Sequence, residues 1–160
     1  MEKCVILSVK AKWCKKIAIG EKAVEARKTY PKTGTPFKVY LYCTMGEWPL
    51  WYSEYRVRDV DTVDDTDFMA NGKVIGEFNC NQICHVLAHP SIFAGKPLFF
   101  ERAIQGACLT EAEVEAYGGG KDVVGWVISN LKIYDKPKTL AEFGLSRAPQ
   151  SWCYVKEVAV

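Results

Sequence analysis

The apolar and polar positions near the amino terminus predict a strand followed by a short helix. Residues 4–9 (CVILSV) form an apolar, β-branched run that is typical of a buried strand. In residues 10–19, Trp13 and Ile17 lie four positions apart, which predicts that they share the inner face of a helix whose lysines point outwards. Gly20 follows directly and is suited to end that helix, because glycine readily adopts the backbone conformation found there.

The next segment alternates with the period of a strand. Residues 22–29 (KAVEARKT) place Val24 and Ala26 on one face and Glu25 and Arg27 on the other. Two residues apart on a strand correspond to about 7 Å, so a carboxylate and a guanidinium are expected to stand side by side.

The rest of the pattern predicts more strands than helices. Thr110 and Glu113 have the spacing of a capping box, which predicts a helix over residues 111–117. Residues 44–72 and 81–109 lack a clear period and are expected to be irregular excursions. Further strands are predicted over residues 37–43, 73–80, 123–134 and 151–158, with a helical turn over residues 139–143. Many short strands with two small helices indicate an α+β fold built on a barrel-like sheet.

Length, composition and charge exclude some classes of protein and bear on the kind of partner. A chain of 160 residues, 49% hydrophobic and 25% charged, has the size and composition of one globular domain, residues 1–160, rather than of a disordered or collagen-like protein. The net charge of +2 at first argues against a polyanion as partner. However, residues 1–40 carry ten basic and three acidic residues, net +7, while residues 41–160 carry 11 basic and 16 acidic residues, net −5. We therefore expect a local basic face.

The amino-terminal residues and the cysteines indicate the compartment. Only the short run 4–7 is apolar before the first lysines, whereas a secretory signal needs about 7–15 apolar residues. No stretch approaches the roughly 18 apolar residues that span a bilayer, so no membrane association is expected. Seven cysteines without a C-x-x-C pair are typical of reduced thiols. We expect a cytoplasmic protein.

The most informative stretch is Gly20-x-Lys22-x-x-Glu25-x-Arg27. An ammonium, a carboxylate and a guanidinium close to a helix end can bind a planar polar ligand through matched hydrogen bonds. The structural alternative is an ordinary surface ion pair, which contributes about 0–1 kcal/mol.

This stretch resembles the signature of the ASCH domain, a branch of the PUA-like superfamily. The segments ILSVKAKWCKKIAIG, KVYLYCT and GKVIGEF are similar to that family in order and spacing, and the segment from GWVISNL to SWCYV resembles the form found in phage and mobile-element proteins. The resemblance implies a small mixed β-barrel with flanking short helices and a ligand cleft. It implies binding of RNA or of a modified nucleotide, with Lys22, Glu25 and Arg27 lining the cleft and Thr44 and Glu77 on its walls.

The same resemblance suggests a catalytic alternative. One branch of the family hydrolyses the acetyl amide of N4-acetylcytidine with a lysine, a threonine and a glutamate. Lys22 matches that lysine, but Glu25 stands where the threonine nucleophile is expected, and a carboxylate is a poorer acyl acceptor than a hydroxyl. Glu77 and Glu111 are the only guesses for the third residue. In this alternative Lys22 activates water or a nucleophile, and Glu25 is the general base. Metal-dependent RNA cleavage has also been proposed in the family, and no matching ligand set stands out here.

Several other residues have the chemistry of RNA contacts. Gln150, Trp152 and Tyr154 could stack on a base and bind its edge, although a core role for the two rings is the simpler interpretation. The aromatic segment from Trp48 to Tyr55 suits either RNA or a partner protein, or packs over the sheet. Phosphate attraction is expected from the lysines of the first helix, which are Lys10, Lys12, Lys15 and Lys16.

No cofactor is expected from the sequence. Cys80, Cys84, His85 and His89 are four potential soft ligands, but their spacing is not that of a usual zinc site. The oligomeric state is left open.

Overall fold

The computed structural model describes residues 3–46, 49–53, 56–58, 68–90 and 96–159. The strands are β1 (Cys4–Val9), β2 (Val24–Arg27), β3 (Phe37–Cys43), β4 (Trp51–Ser53), β5 (Arg56–Arg58), β6 (Phe68–Met69), β7 (Lys73–Ala88), β8 (Leu98–Phe99), β9 (Val123–Lys138) and β10 (Trp152–Val155). The helices are α1 (Ala11–Ala18), α2 (Glu101–Gly106) and α3 (Glu111–Gly118), and a 3-10 turn covers Leu140–Phe143.

Seven of these strands form one mixed sheet. Their order is β10–β1–β3–β7–β9–β2, with β8 paired to β7, and β4, β5 and β6 form a separate three-stranded sheet. A barrel requires the two end strands of the order to pair with each other. Among the described residues, β10 and β2 are left as ends, and each is only four residues long. The mixed α and β composition is therefore confirmed, whereas the predicted closed barrel is not.

The chain divides into two compact units. One comprises the described residues within Met1–Gly20, Phe37–Asn79 and Asn130–Val160, and the other comprises those within Glu21–Pro36 and Cys80–Ser129. We call them the first and second unit. The expectation of a single domain stays a prediction.

The first unit is organised around β1. This strand pairs in parallel with β3 and antiparallel with β10, and all six of its residues are buried. A parallel pair needs a crossover connection, which the segment between β1 and β3 provides. The core beside it contains Ile6, Tyr40, Val74, Tyr134 and Phe143.

The second unit packs β2 against β9 and two helices. Strand β2 pairs antiparallel with β9, so that Glu25 lies opposite Trp126 and Arg27 opposite Val124. Its core contains Val24, Val86, Leu87, Ile104, Ala107, Val114 and Val123. The capping box predicted for α3 is confirmed, because Thr110 accepts a hydrogen bond from the backbone of Glu113 and the Glu113 side chain accepts one from the backbone of Thr110.

Residues 81–109 are more regular than the sequence predicted. Strand β7 continues to Ala88, and α2 occupies part of the segment expected to be irregular. The strand was missed because Asn81 and Gln82 are consecutive polar, exposed residues that interrupt the alternation. Within residues 44–72, the short strands β4, β5 and β6 form, while Trp48 and Tyr55 of the predicted aromatic segment lie outside the described residues.

Helix α1 orients its tryptophan differently from the prediction. Ala11, Cys14 and Ile17 are the buried residues of the helix, whereas Trp13 is half-buried. The Lys12 ammonium lies 4.5 Å from the centroid of the Trp13 ring and the Lys16 ammonium 6.0 Å from it. The tryptophan therefore lies at the edge of the apolar face, covered by lysines.

We predict that Gly125→Ala destabilises the second unit. A methyl group at this position would stand 2.5 Å from Cγ1 of Val24 and 2.6 Å from Sγ of Cys84, which is closer than van der Waals contact. The expected loss is about 1–3 kcal/mol in the free energy of unfolding, measured by urea denaturation. Gly46→Ala is the control, because nothing lies within 4 Å of its added methyl group. Equal stability of the two variants would contradict this close approach.

Candidate ligand-binding site

Lys22, Glu25 and Arg27 converge in the second unit, as the sequence predicted. The Lys22 ammonium lies 3.7 Å from Oε2 of Glu25, and Nη2 of Arg27 lies 3.2 Å from Oε1 of the same carboxylate. Nε of Arg27 also donates to Oε1, at 3.3 Å. Two of the three guanidinium nitrogens thus approach one oxygen, and Glu25 interacts with both cations.

These charges are removed from water to an unusual degree. The side chains of Lys22, Glu25 and Arg27 are 2%, 7% and 11% exposed, respectively. The alternation had predicted that Glu25 and Arg27 occupy a polar face of β2, but Val24, Glu25 and Ala26 are all buried. A surface ion pair is therefore the wrong description, because both faces of this strand are covered.

A backbone carbonyl holds the Lys22 ammonium in place. Nζ of Lys22 donates to the carbonyl of Ala107 at 2.6 Å, immediately after α2. Burial lowers the pKa of Lys22 below its ordinary value, and the charge of Glu25 partly opposes that change. The amine is thus held in position by hydrogen bonding while its protonated form is disfavoured by desolvation.

One oxygen of the cluster has no hydrogen bond. Oε2 of Glu25 is buried and accepts none from any described residue, since the 3.7 Å separation from Lys22 is too long for one. A buried acceptor without a donor costs about 1–3 kcal/mol, more when it is charged. Such an oxygen calls for a donor from outside the chain, which a water or a bound ligand can supply.

Two neighbours of the cluster were not predicted. The Cys108 thiol donates to the carbonyl of Glu21, the residue before Lys22, at 3.3 Å. Burial raises the pKa of the Tyr117 hydroxyl on α3, and the charges of Arg27 and Glu25 act on that pKa in opposite directions. The sequence did not predict that either residue lies near the cluster, because both are more than 80 positions from Lys22 along the chain. Cys108 has a positive φ of 58°, a backbone conformation that cysteine does not favour and that the sequence therefore did not predict.

The basic residues of the first helix lie in the first unit. Lys10 and Lys12 are exposed, and Lys15 and Lys16 are half-buried in the last turn of α1. Positive charge is favourable at that end of a helix. Phosphate contacts by these four lysines stay a prediction.

Two predicted wall residues lie in the first unit with partners of their own. Glu77 accepts a hydrogen bond from the Tyr134 hydroxyl at 2.7 Å, and burial raises the pKa of Tyr134. Thr44 follows β3 and accepts a hydrogen bond at its carbonyl from Asn71. The Glu77 side chain is thus used within the core of its own unit, and a wall role for either residue stays a prediction.

The predicted stacking residues also belong to the first unit. Trp152 and Tyr154 lie on β10 with ring centroids 5.4 Å apart and nearly perpendicular planes. Tyr154 is 52% exposed, and Gln150 before the strand is exposed. Tyr154 is therefore not a core residue, contrary to the simpler interpretation.

The structure does not assemble the four potential zinc ligands. Among the described residues, no group of three or more His, Cys, Asp and Glu side chains could hold a metal ion. Cys84 and His85 are consecutive residues of β7, and such neighbours point to opposite faces of a strand. His89 is engaged by Asp122 at 3.1 Å. Burial raises the pKa of the Cys80 thiol to about 11.

No family model matches the sequence, and no curated protein is significantly similar to it. Solved structures do match. The ASCH protein from Zymomonas mobilis superposes with a TM-score of 0.63 at 18% identity, over 97% of this chain and 89% of that chain.

The chain has the fold of ASCH domain proteins. Two point mutants of the Zymomonas mobilis protein give TM-scores of 0.64 and 0.63, each at 18% identity and over 98% of this chain and 90% and 92% of theirs. The ASCH resemblance read from the sequence is thus confirmed at the level of the fold. No helix within the described ranges is long and apolar enough to cross a membrane.

We predict that Lys22 makes stability depend on pH. Because its pKa is depressed in the folded state, the unfolded chain binds more protons between that pKa and 10.5, and stability rises with pH across this window. Relative to Lys22→Met, the free energy of unfolding of the unsubstituted protein should increase as the pH is raised from neutral towards 10.5. Urea denaturation at several pH values measures this difference.

The exposed Lys121 of the same unit provides the control. Lys121→Met should show a nearly constant difference from the unsubstituted protein over the same range. A constant difference for Lys22→Met as well would contradict the desolvation of Lys22.

Proposed function

We propose that this chain is a domain that binds RNA or a modified nucleotide, with Lys22, Glu25 and Arg27 recognising the base. The observation that carries the proposal is the buried Oε2 of Glu25, which lacks a hydrogen-bond donor among the described residues. A nucleobase offers N–H donors in its plane, and one of them would satisfy this oxygen. Arg27, the most exposed of the three, supplies donors for a carbonyl or ring nitrogen of the same base.

The charge distribution supports a polyanionic ligand. Lys10, Lys12, Lys15 and Lys16 give the first unit a basic helix, and phosphate neutralisation supplies most of the affinity of nonspecific nucleic-acid binding. The likeness of the fold to ASCH proteins agrees with this proposal without carrying it.

The proposal also includes the cellular location and the origin of the protein. The seven cysteines are free thiols, as expected in a reducing compartment, and we propose a cytoplasmic location. The phage or mobile-element origin rests on the carboxy-terminal resemblance alone.

Replacing Arg27 should test base recognition directly. Arg27→Ala should weaken binding of a fluorescein-labelled single-stranded RNA by about tenfold or more, because a charge-assisted hydrogen bond of about 1.5–3 kcal/mol is lost. Arg102→Ala is the matched control, because Arg102 is an exposed arginine of the same unit on α2. Fluorescence anisotropy at several salt concentrations should give affinity that falls with salt for all three proteins.

The proposal fails on either of two results. One is the absence of RNA binding by the folded protein. The other is binding that ignores both salt and Arg27, which would point to an apolar contact elsewhere on the surface.

A second candidate function is hydrolysis of the acetyl amide of N4-acetylcytidine. It is favoured by the buried amine of Lys22, whose pKa is lowered and which lies 3.7 Å from a carboxylate. In this reaction Glu25 would take a proton from water as the water attacks the acetyl carbonyl. The bond from that carbon to N4 would break, and Lys22 would return a proton to the leaving nitrogen.

Incubation with N4-acetylcytidine distinguishes the two candidates. Catalysis predicts the appearance of cytidine and acetate by chromatography, lost in Lys22→Met and retained in Arg102→Ala. No turnover by the folded, RNA-binding protein would exclude this substrate and leave the binding function in place.

A further inference from the structure

One end of β9 borders a cavity that carries positive charge. The cavity has a volume of about 270 Å³, and its lining includes Lys132, Tyr134, Asp135, Lys136 and Lys138. These residues lie within the part of β9 that belongs to the first unit. Three ammonium groups and one carboxylate give the lining a net positive charge, and such a surface attracts anions.

The three lysines are arranged in a row. Side chains an even number of positions apart share one face of a strand, and this spacing relates Lys132, Lys136 and Lys138. From the first to the last of them, a strand advances about 20 Å. A row of positive charges of this length complements a ligand whose negative charges also follow one another, as they do along a phosphate backbone.

Tyr134 is the buried member of the lining. It is 4% exposed, and its hydroxyl donates to Glu77 at 2.7 Å. The Lys138 ammonium lies 5.7 Å from the centroid of the Tyr134 ring, within the range of a cation–π contact. Lys138 also lies 3.8 Å from Glu142, but this pair is partly exposed and contributes little. The ring therefore helps to hold one of the three charges at the cavity.

The other two lysines are accessible to a ligand. Lys132 and Lys136 are exposed, and among the residues that the structure describes neither forms an ion pair. Like charges beside one cavity repel each other, and Asp135 offsets only part of that repulsion. An anion in the cavity would be attracted by both ammonium groups.

We propose that this cavity binds the phosphate backbone of single-stranded RNA through Lys132, Lys136 and Lys138. The inference rests on the proposed function and adds a second basic surface to the lysines of α1. Pockets that enclose a whole small ligand have volumes of about 300–1,000 Å³. A cavity of about 270 Å³ is better suited to one part of a larger ligand, such as a phosphate group within a polyanion.

Phosphate contacts differ from base contacts in two measurable ways. They carry no sequence information, so their loss weakens all sequences alike. Each contact also adds about 0.7 to the steepness with which the logarithm of affinity for a single strand falls with the logarithm of salt concentration. Loss of a base contact instead changes the ratio of affinities between sequences.

The experiment removes charges from the cavity and measures RNA binding. The test variant combines Lys132→Gln with Lys136→Gln. The control variant combines Lys121→Gln with Lys156→Gln, which removes the same charge from two exposed lysines outside the lining. Fluorescence anisotropy with two fluorescein-labelled single-stranded RNAs of different sequence gives affinities at several salt concentrations. Urea denaturation shows that each variant is folded.

We expect the test variant to bind both RNAs more weakly by a similar factor, about fivefold or more at low salt, because one exposed ion pair contributes up to about fivefold. The salt dependence should become shallower by about 1.4, which corresponds to two lost contacts. Lys132→Arg combined with Lys136→Arg should retain affinity and salt dependence. Asp135→Asn should strengthen binding, because it removes the negative charge of the lining.

An unchanged salt dependence in the folded test variant would overturn the proposal. An equal effect of the control variant would also overturn it, because the loss would then reflect net charge rather than this cavity.

The proposed function fails in a different way. If Arg27→Ala weakens binding while the test variant keeps the original salt dependence, base recognition stands and only the phosphate surface on β9 is wrong. If the unsubstituted protein binds neither RNA, the proposed function fails and this surface fails with it.

Discussion

The placement of three charges in a nearly dry environment is the constraint on which the second unit depends. Removing one partner of a buried ion pair commonly costs about 3–5 kcal/mol, because the remaining charge stays uncompensated. Lys22 and Glu25 are therefore tolerated only while the Ala107 carbonyl and Arg27 hold them. The end of α2 and the strand β2 must keep their relative positions for this arrangement to persist.

The hydrogen-bonding capacity of the cluster of Lys22, Glu25 and Arg27 is nevertheless not fully used. Replacement of such a group by apolar side chains is often neutral or stabilising, so a fold has no need of it for stability alone. Oε2 of Glu25 accepts no hydrogen bond from any described residue, and this increases the cost. A buried oxygen of this kind is expected where a ligand supplies the missing donor, and it is the basis of the proposed nucleotide site.

Local patterns predicted the parts of the molecule that local forces determine. The buried strand β1 follows from its apolar run, and α3 follows from its capping box. The spacing of Lys22, Glu25 and Arg27 on one turn and strand also allowed the cluster to be found. By contrast, the Ala107 carbonyl is 85 positions from Lys22, so only the tertiary fold brings it to the ammonium.

Two features of the fold do not follow from local sequence patterns. Asn81 and Gln82 are exposed polar residues within β7, so the apolar alternation that predicts a strand is interrupted there. The strand nevertheless continues to Ala88, because a long strand can leave the core and remain paired. The sequence also did not predict that the sheet is open, since barrel closure depends on pairing between strands far apart in the sequence. Likeness of fold at 18% identity likewise leaves function to be argued from the site.

The most direct test is a crystal structure of the protein with a bound single-stranded oligonucleotide. We predict that an N–H group of one base lies within hydrogen-bonding distance of Oε2 of Glu25, about 2.7–3.2 Å. Nucleic acid bound elsewhere, with the present surroundings of Glu25 retained, would contradict the proposed site, as would a protein group that already donates to that oxygen.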